Sequence, residues 1–392
     1  MQKMEGVAPP SPRYYIKVLG KAIEIVNAMG RARTGVRLTD IAEACHLDLA
    51  TTLRILHTLQ RHGWVSKDSG NKKFALLLGS RPYRVAYAQL CGGLPFSDAV
   101  TSGLIEAAQK VVVEFFPLDN QFDSDKAIEN ARWMIKEKVD FAIECQRHSK
   151  IAPVLAEMFA KARIPTLAIE IPQPGALFFG INNYTTGLAL GKAAARYVLK
   201  KWRGSLDQVL LLEALAAGPH PHARITGFLE GLQRTVTLPE VRRVVRRDGK
   251  GTENDGYDAT RKFLRRTDSS KRVLVAAIND ISALGALRAV REAERERRTA
   301  IVGCDLSPAL RVLKEIKEVT SPLIATVCVY AERYGSRIVP IFLKWLRNEQ
   351  VPPTTYADTA LVVEENADDF LAGSTDPGGY GPQPLGAIGK SI

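Results

Sequence analysis

The sequence predicts an α/β chain in which a small N-terminal unit of helices and a hairpin precedes two lobes built on parallel sheets. Three observations predict it. From Tyr83 onward, apolar strands and amphipathic helices alternate, which implies parallel sheets with helices on both faces. The alternation restarts near Asn182, so the sheets fall into two lobes. The first eighty residues follow another order, three helices and then two short β-type runs.

The elements of the first unit read as follows. "YIKVLGKAIEIVNAMG" carries apolar residues at helical spacing and stops at Gly30. "LTDIAEACHL" is a short helix with Thr39 as N-cap and Asp40 in its first turn. "LDLATTLRILHTLQRHG" follows after a very short turn and ends at Gly63. "WVSKDSGNKKFALL" is a hairpin around the turn signal Ser69-Gly70-Asn71. This is the order of a winged helix-turn-helix, placed at residues 14–80.

A recognition helix needs one apolar face for packing and one free face for the major groove. On the third helix Thr52, Ile55, Leu56 and Leu59 share the packing side. Ala50, Arg54, His57 and Arg61 fall opposite, with Thr51 and Leu53 on the flanks. Arg54 suits guanine or a phosphate, Thr51 a phosphate or a base, and Leu53 a thymine methyl. Lys67, Lys72 and Lys73 flank the wing, where phosphates are reached. The expected partner is a double-stranded DNA operator; an amphipathic unit that binds protein is the alternative.

Charge points the same way. Residues 1–80 hold 12 Lys and Arg against 6 Asp and Glu, half of the chain's net +12 in about a fifth of its 392 residues. A basic bias of this kind suits a polyanion, and it equally describes a solvated surface. The five cysteines are scattered and odd in number, unlike a disulfide framework or a zinc site. The start has no apolar core of signal-peptide length, and no stretch approaches the roughly 20 apolar residues of a membrane span. The expected place is the cytoplasm, away from membranes.

After Tyr83 the strands are "YRVAYAQL", "VVVEFFPL", "VDFAIEC" and "IPTLAIEI", separated by helices. Past "NNYTTGLALGKAAARYVLKKW" come "QVLLLEAL", "EVRRVVRRD", "RVLVAAIND" and "RTAIVGCDL". In such sheets ligands sit beyond the carboxyl ends of the strands. Two facing lobes would enclose a cleft there.

Two resemblances sharpen this reading. "LTDIAEACHLDLATTLRILHTLQRHGWV" is similar to the winged helix of IclR-type bacterial transcription regulators, over roughly Tyr15 to Gly79. It departs at Ala50, often Ser in that family, and at Leu53, often polar. The rest resembles the type I periplasmic binding protein fold in its sugar-binding branch, the body that LacI-type regulators use as an effector sensor. Pro95-Phe96, "INNYTTG", "HARITGF", "AAINDISALGAL", "IVGCD" and "IATV" occur in its order. The resemblance implies a domain over 82–369 and three crossings between lobes. One lobe takes 82–182 and 330–355, the other 183–329 and 356–369.

The resemblance also implies a site. Phe96 would be the platform for a sugar ring, Arg224 and Asn279 hydrogen-bonders from the second lobe, and Asp305 the acceptor for a pair of hydroxyls. Glu144 and Glu170 end the third and fourth strands, where the family places polar contacts, and Asn183 or Tyr184 lies at the first crossing. Asp280 is read as the N-cap of "ISALGALRAV", which leaves Asn279 for the ligand. Each residue also has a plain reading as a cap, a surface pair or a solvated strand end. Departures from a pentose site are Leu90 and Leu94, Glu170-Ile171 in place of Asp-Arg, and Val329 for a polar residue. They imply a cleft more acidic, and greasier on one side. That suits a sugar, polyol or sugar derivative, a deoxy or amino sugar, or a cationic metabolite.

Catalysis is not expected. Phosphate-loop, dinucleotide and Ser-His-acid signatures are absent from the sequence. His220 and His222 in "GPHPHAR" read as a loop rather than a metal site, and no metal or cofactor is expected. "REAERERR" reads as a solvated helix end. Residues 370–392, rich in Gly and Pro, read as a disordered tail. The function expected is a ligand-responsive regulator, homodimeric on a palindromic site. The alternative is the solute-binding component of a sugar transport system.

Overall fold

The computed structural model describes residues 15–30, 35–68, 72–76, 82–306 and 309–371. The hairpin turn at Ser69-Gly70-Asn71 and the tail from 372 lie outside the described residues. The chain divides into two compact units between Tyr83 and Arg84.

The first unit runs α1 (Lys17–Gly30), β1 (Val36–Arg37), α2 (Leu38–Ala44), α3 (Leu49–Arg61), β2 (Val65–Lys67) and β3 (Lys73–Leu76). β3 lies between β1 and β2 and is antiparallel to both. Strand β1 is too short to leave a periodic signal, and the sequence reading lacks it. Ile25, Met29, Ile41, Ile55, Leu56, Leu59, Val65 and Phe74 form the core, joining three helices to the hairpin. Asp48 caps α3, its Oδ1 accepting from the Thr51 N–H at 2.8 Å. The expected Thr39 cap is corrected. Helix α2 begins at Leu38, and its N-cap, Arg37, makes no side-chain capping bond. Arg37 is already paired with Lys73 in β1, so strand passes directly into helix and Thr39 falls inside it.

The second unit opens with β4 (Tyr83–Gln89), α4 (Pro95–Gln109), β5 (Val113–Asp119), α5 (Ser124–Lys136), β6 (Phe141–Cys145), α6 (Ala152–Ala162), β7 (Thr166–Ile169) and β8 (Leu177–Gly180). It continues through α7 (Asn183–Trp202), β9 (Gln208–Glu213), α8 (Pro219–Gln233), β10 (Val244–Asp248), α9 (Glu253–Leu264), β11 (Val273–Ala277), α10 (Asp280–Glu292), β12 (Thr299–Val302), α11 (Ala309–Lys317) and β13 (Leu323–Cys328). It ends with α12 (Tyr334–Leu346), β14 (Thr354–Tyr356), β15 (Ala360–Val363) and α13 (Ala367–Leu371).

These strands make two six-stranded sheets, ordered β14-β8-β7-β6-β4-β5 and β10-β9-β11-β12-β13-β15. Each is the centre of one lobe, and the chain passes between lobes at 181–182, 329–333 and 357–359. One strand departs from the expected parallel order: β15 is antiparallel to β13. The chain re-enters the second lobe just after β14, at the end where the parallel strands finish. It can only run back the other way.

Each sheet is packed by apolar side chains. Ala86, Ala88 and Ala142 meet Ala127, Met134 and Phe159 in the first lobe. Leu210, Val275 and Ile301 meet Leu284, Leu287 and Val312 in the second. Two further expectations are corrected. Arg295, read as part of a solvated helix end, is buried and donates to the carbonyls of Thr267, Asp268 and Lys271 at 2.9–3.0 Å. Phe370 packs against the second core and α13 runs to Leu371, so order continues past the expected tail boundary.

Candidate functional site

In the first unit, α3 buries Thr52, Ile55, Leu56 and Leu59 and leaves Ala50, Arg54 and His57 exposed. Arg54 Nη2 donates to Thr51 Oγ1 at 3.3 Å, which ties the two candidate readers together. Leu53 is half-buried and packs against the core, so less of it is free for a groove than the helical projection implies. On the hairpin Lys72 is exposed and Lys73 half-buried, and Lys67 Nζ lies 5.3 Å from the Phe74 ring centre.

In the second unit, α7 and α8 pack without room for side chains. A Cβ on Gly187 would lie 1.9 Å from the Arg224 carbonyl, and one on Gly227 2.1 Å from that of Tyr184. This approach sets the start of α7 beside α8. There Asn183 Oδ1 accepts from Arg224 Nε at 3.0 Å and Nη2 at 2.8 Å. Arg224 Nη1 donates to the Ile278 carbonyl at the end of β11. The guanidinium is buried and aimed at the strand ends, and both matter for a charged donor.

Opposite, Tyr334 donates to Glu170 Oε1 at 2.6 Å. Its ring meets Phe96 edge-on at 5.8 Å and Phe179 at 4.8 Å. Burial raises the Glu170 pKa, while the Tyr334 hydroxyl and the Arg224 charge oppose the rise. Phe96, Glu170, Asn183 and Arg224 thus share one neighbourhood. Asp305 stands at a backbone corner with φ +92°, a costly conformation for a residue with a side chain. Its charge acts on the buried Asp280, whose pKa burial and Asp305 push well up.

The capping expectation on α10 is corrected. Asn279, not Asp280, is the N-cap: its backbone is extended, and its Oδ1 accepts from Ser282 N at 2.9 Å and Ser282 Oγ at 2.6 Å. Its Nδ2 donates to the Gly251 carbonyl at 3.0 Å, so most of this side chain is engaged by the fold. Asp280 is inside the helix, with both oxygens 2.8 Å from Thr326 Oγ1. A cap must precede the first helical residue, and that position belongs to Asn279.

Glu144, 1% exposed, has no protein hydrogen-bond partner on either oxygen. Burial pushes its pKa up to about 8, with only Asn120 opposing. Gln146 and Gln173, also buried, have unpartnered amides, and Asn183 keeps an unpartnered Nδ2. Gln146, Gln173 and Tyr334 were missed by sequence reasoning. The strand-end position of Gln146 was a usable signal. Tyr334 reaches Glu170 across 164 positions and left none.

The lobes touch across the cleft. Arg147 Nη2 donates to the Lys250 carbonyl at 2.9 Å, Ser149 Oγ to that of Ala216 at 3.4 Å, and the Phe178 and His220 rings lie 4.9 Å apart. His220 and His222 lie in the first turn of α8, not in a loop. Among the described residues no group of three or more His, Cys, Asp or Glu is placed to hold a metal ion. A cavity of about 330 Å³ lies on the second lobe, lined by Glu213, Leu215, Pro219, His222, Ile225 and Ile278. None of the expected ligand residues lines it. No helix among the described residues is long and apolar enough to cross a membrane.

Comparison with known proteins agrees with this architecture. Residues 86–339 match the model of the periplasmic binding protein domain, and residues 18–69 that of the IclR helix-turn-helix domain. No curated protein matches the sequence. Among solved structures, a solute-binding protein of an Agrobacterium vitis ABC transporter, with bound allitol, is similar at TM-score 0.66 and 17% identity, covering 75% of this chain and 100% of that one. One from Bacillus halodurans, with bound myo-inositol, is similar at 0.64 and 22%, covering 75% and 99%. One from Actinobacillus succinogenes, with bound D-allose, is similar at 0.62 and 17%, covering 73% and 99%. At these identities the likeness is one of fold. The two matched domains are of a DNA-binding and a solute-binding type.

Proposed function

We propose a function from this premise: the chain belongs to the periplasmic binding protein domain family and carries an IclR helix-turn-helix domain ahead of it. It is a cytoplasmic transcription regulator that senses a sugar or sugar-like molecule between its lobes. The observation that carries this reading is the presence, in one chain, of both parts. A helix presents Ala50, Arg54 and His57 to solvent, and a two-lobed body gathers Phe96, Glu170, Asn183 and Arg224 at its strand ends.

On this reading Arg54 and Thr51 read bases or phosphates, and Lys72 and Lys73 hold phosphates beside the wing. Phe96 supports a sugar ring, Arg224 and Asn183 donate to its hydroxyls, and Glu170 and Asp305 accept from them. Asn279 offers at most the remaining N–H of its amide. The likeness to transport proteins favours a second reading, a solute-binding role.

The deciding experiment is operator binding by the purified full chain, titrated with and without sugars and polyols. Sequence-selective DNA binding that shifts with one of them supports the regulator. Sugar binding without any selective DNA binding would favour the transport role instead.

A further inference from the structure

Most polar groups at the strand ends of the first lobe are satisfied by the fold. Glu170 is held by Tyr334 and lies in the field of Arg224. Asp280, across the cleft, is held by Thr326. Arg224 is occupied by Asn183 and the Ile278 carbonyl. Glu144 differs from all of them. It is buried, neither oxygen has a protein partner, and no cation contributes to its electrostatics.

A buried carboxyl in that state is costly unless it is protonated or meets a donor-rich or positive group. Its neighbours are incomplete in the same way. Gln146 follows it by two residues on the end of β6, and Gln173 lies between β7 and β8, the next strands in the sheet. Both amides are buried without partners. Gln146 also lines a small cavity with Asn120 and Leu90, of about 10 Å³. That is room for one water-sized group, the size of an ammonium head and too small for a sugar ring.

Resting on the regulator reading above, we propose that the effector is an aminated sugar or polyol whose protonated amine is accepted by Glu144, with Gln146 and Gln173 taking adjacent hydroxyls. An ammonium satisfies what a hydroxyl cannot, because it brings three donors and a charge to an isolated buried acid. The second lobe supplies no competing requirement for an anion, since the one guanidinium there is already held.

The test uses the full chain and three matched pairs: D-glucosamine with D-glucose, D-galactosamine with D-galactose, and D-mannosamine with D-mannose. Calorimetric titration should give the amine of at least one pair a Kd about tenfold or more below its neutral partner. Glu144→Gln should remove that preference while the neutral sugar binds as before. It should also leave the ligand-free melting temperature equal or higher, because an amide in this place carries no charge to bury. Neutral sugars that bind as tightly as the amines, or a panel in which no amine binds, would overturn the inference. So would a preference that survives Glu144→Gln, or a variant that melts lower without ligand, which would give Glu144 a structural partner. Operator binding, measured in parallel, separates the two readings. A neutral sugar that shifts DNA affinity keeps the regulator and removes the amine. Glu144-dependent amine binding without selective DNA binding keeps the amine and removes the regulator.

Discussion

Glu144 is a carboxyl whose environment sets its proton affinity almost entirely by burial. Its pKa is about 8, against about 4.3 in an unfolded chain. The groups that act on it are few. Asn120 offers an amide, and Tyr87 and Cys145 are held neutral by their own burial. Between the two pKa values the folded state binds the proton more tightly than the unfolded one. The stability this group contributes is therefore fully present below about pH 4.3 and is lost as pH rises toward 8, at up to about 1.4 kcal/mol per pH unit. Glu144→Gln should flatten this part of the profile of melting temperature against pH; an unaltered slope would place the titration elsewhere. Arg54 is a residue of the opposite kind, exposed and outside the packed core. Arg54→Ala should leave the melting temperature in place and weaken operator binding by about 1–3 kcal/mol if the residue reads a base. Unchanged affinity on a mapped operator would remove it from the reading surface.

Helices α7 and α8 are the elements on which the cleft depends. They approach so closely that Gly187 faces backbone, leaving no flexible side chain to move aside. Gly187→Ala should cost about 1–3 kcal/mol of stability by overpacking. It should also weaken sugar binding, because the displaced helix carries Asn183 away from Arg224. Wild-type melting and binding in this variant would mean that the helices separate without consequence. Such contacts also show where the sequence was readable. The packing face of α3 follows directly from its 3.6-residue period, and the strands of both lobes from apolar runs between helices. The two-residue β1 is below any periodic signal. The α10 cap was misassigned because Asn and Asp are equally good caps and adjacent, and only backbone conformation separates them. Phe96, Glu170, Asn183 and Arg224 were legible because each stands at a strand or helix end. The isolation of Glu144 was not, since the lack of a partner depends on everything folded around it.

At the scale of the whole molecule, two kinds of binding must be coupled. One winged helix covers a small stretch of DNA, and paired heads on a palindromic site need a twofold assembly. Light scattering at micromolar concentration should therefore give twice the chain mass; a monomer that still binds its operator tightly would contradict this. The coupling itself follows from linkage. An effector changes DNA affinity only by as much as its own affinity differs between the conformations that favour and disfavour DNA. Lesions in the cleft and in the head should then separate. Asp305→Asn keeps the side-chain shape at the φ +92° corner and removes the charge proposed to accept effector hydroxyls. Losing a buried charged hydrogen bond costs on the order of 2–5 kcal/mol of binding. The variant should bind operator as the wild type does without effector, and require at least about thirtyfold more effector to change that affinity, the fold-change of about 2 kcal/mol. Arg54→Ala should do the reverse, lowering DNA affinity while effector binding to the free protein stays constant. A full effector response in Asp305→Asn would put the ligand somewhere other than between these strand ends, and the 330 Å³ cavity beside Glu213 and His222 would be the next place to look.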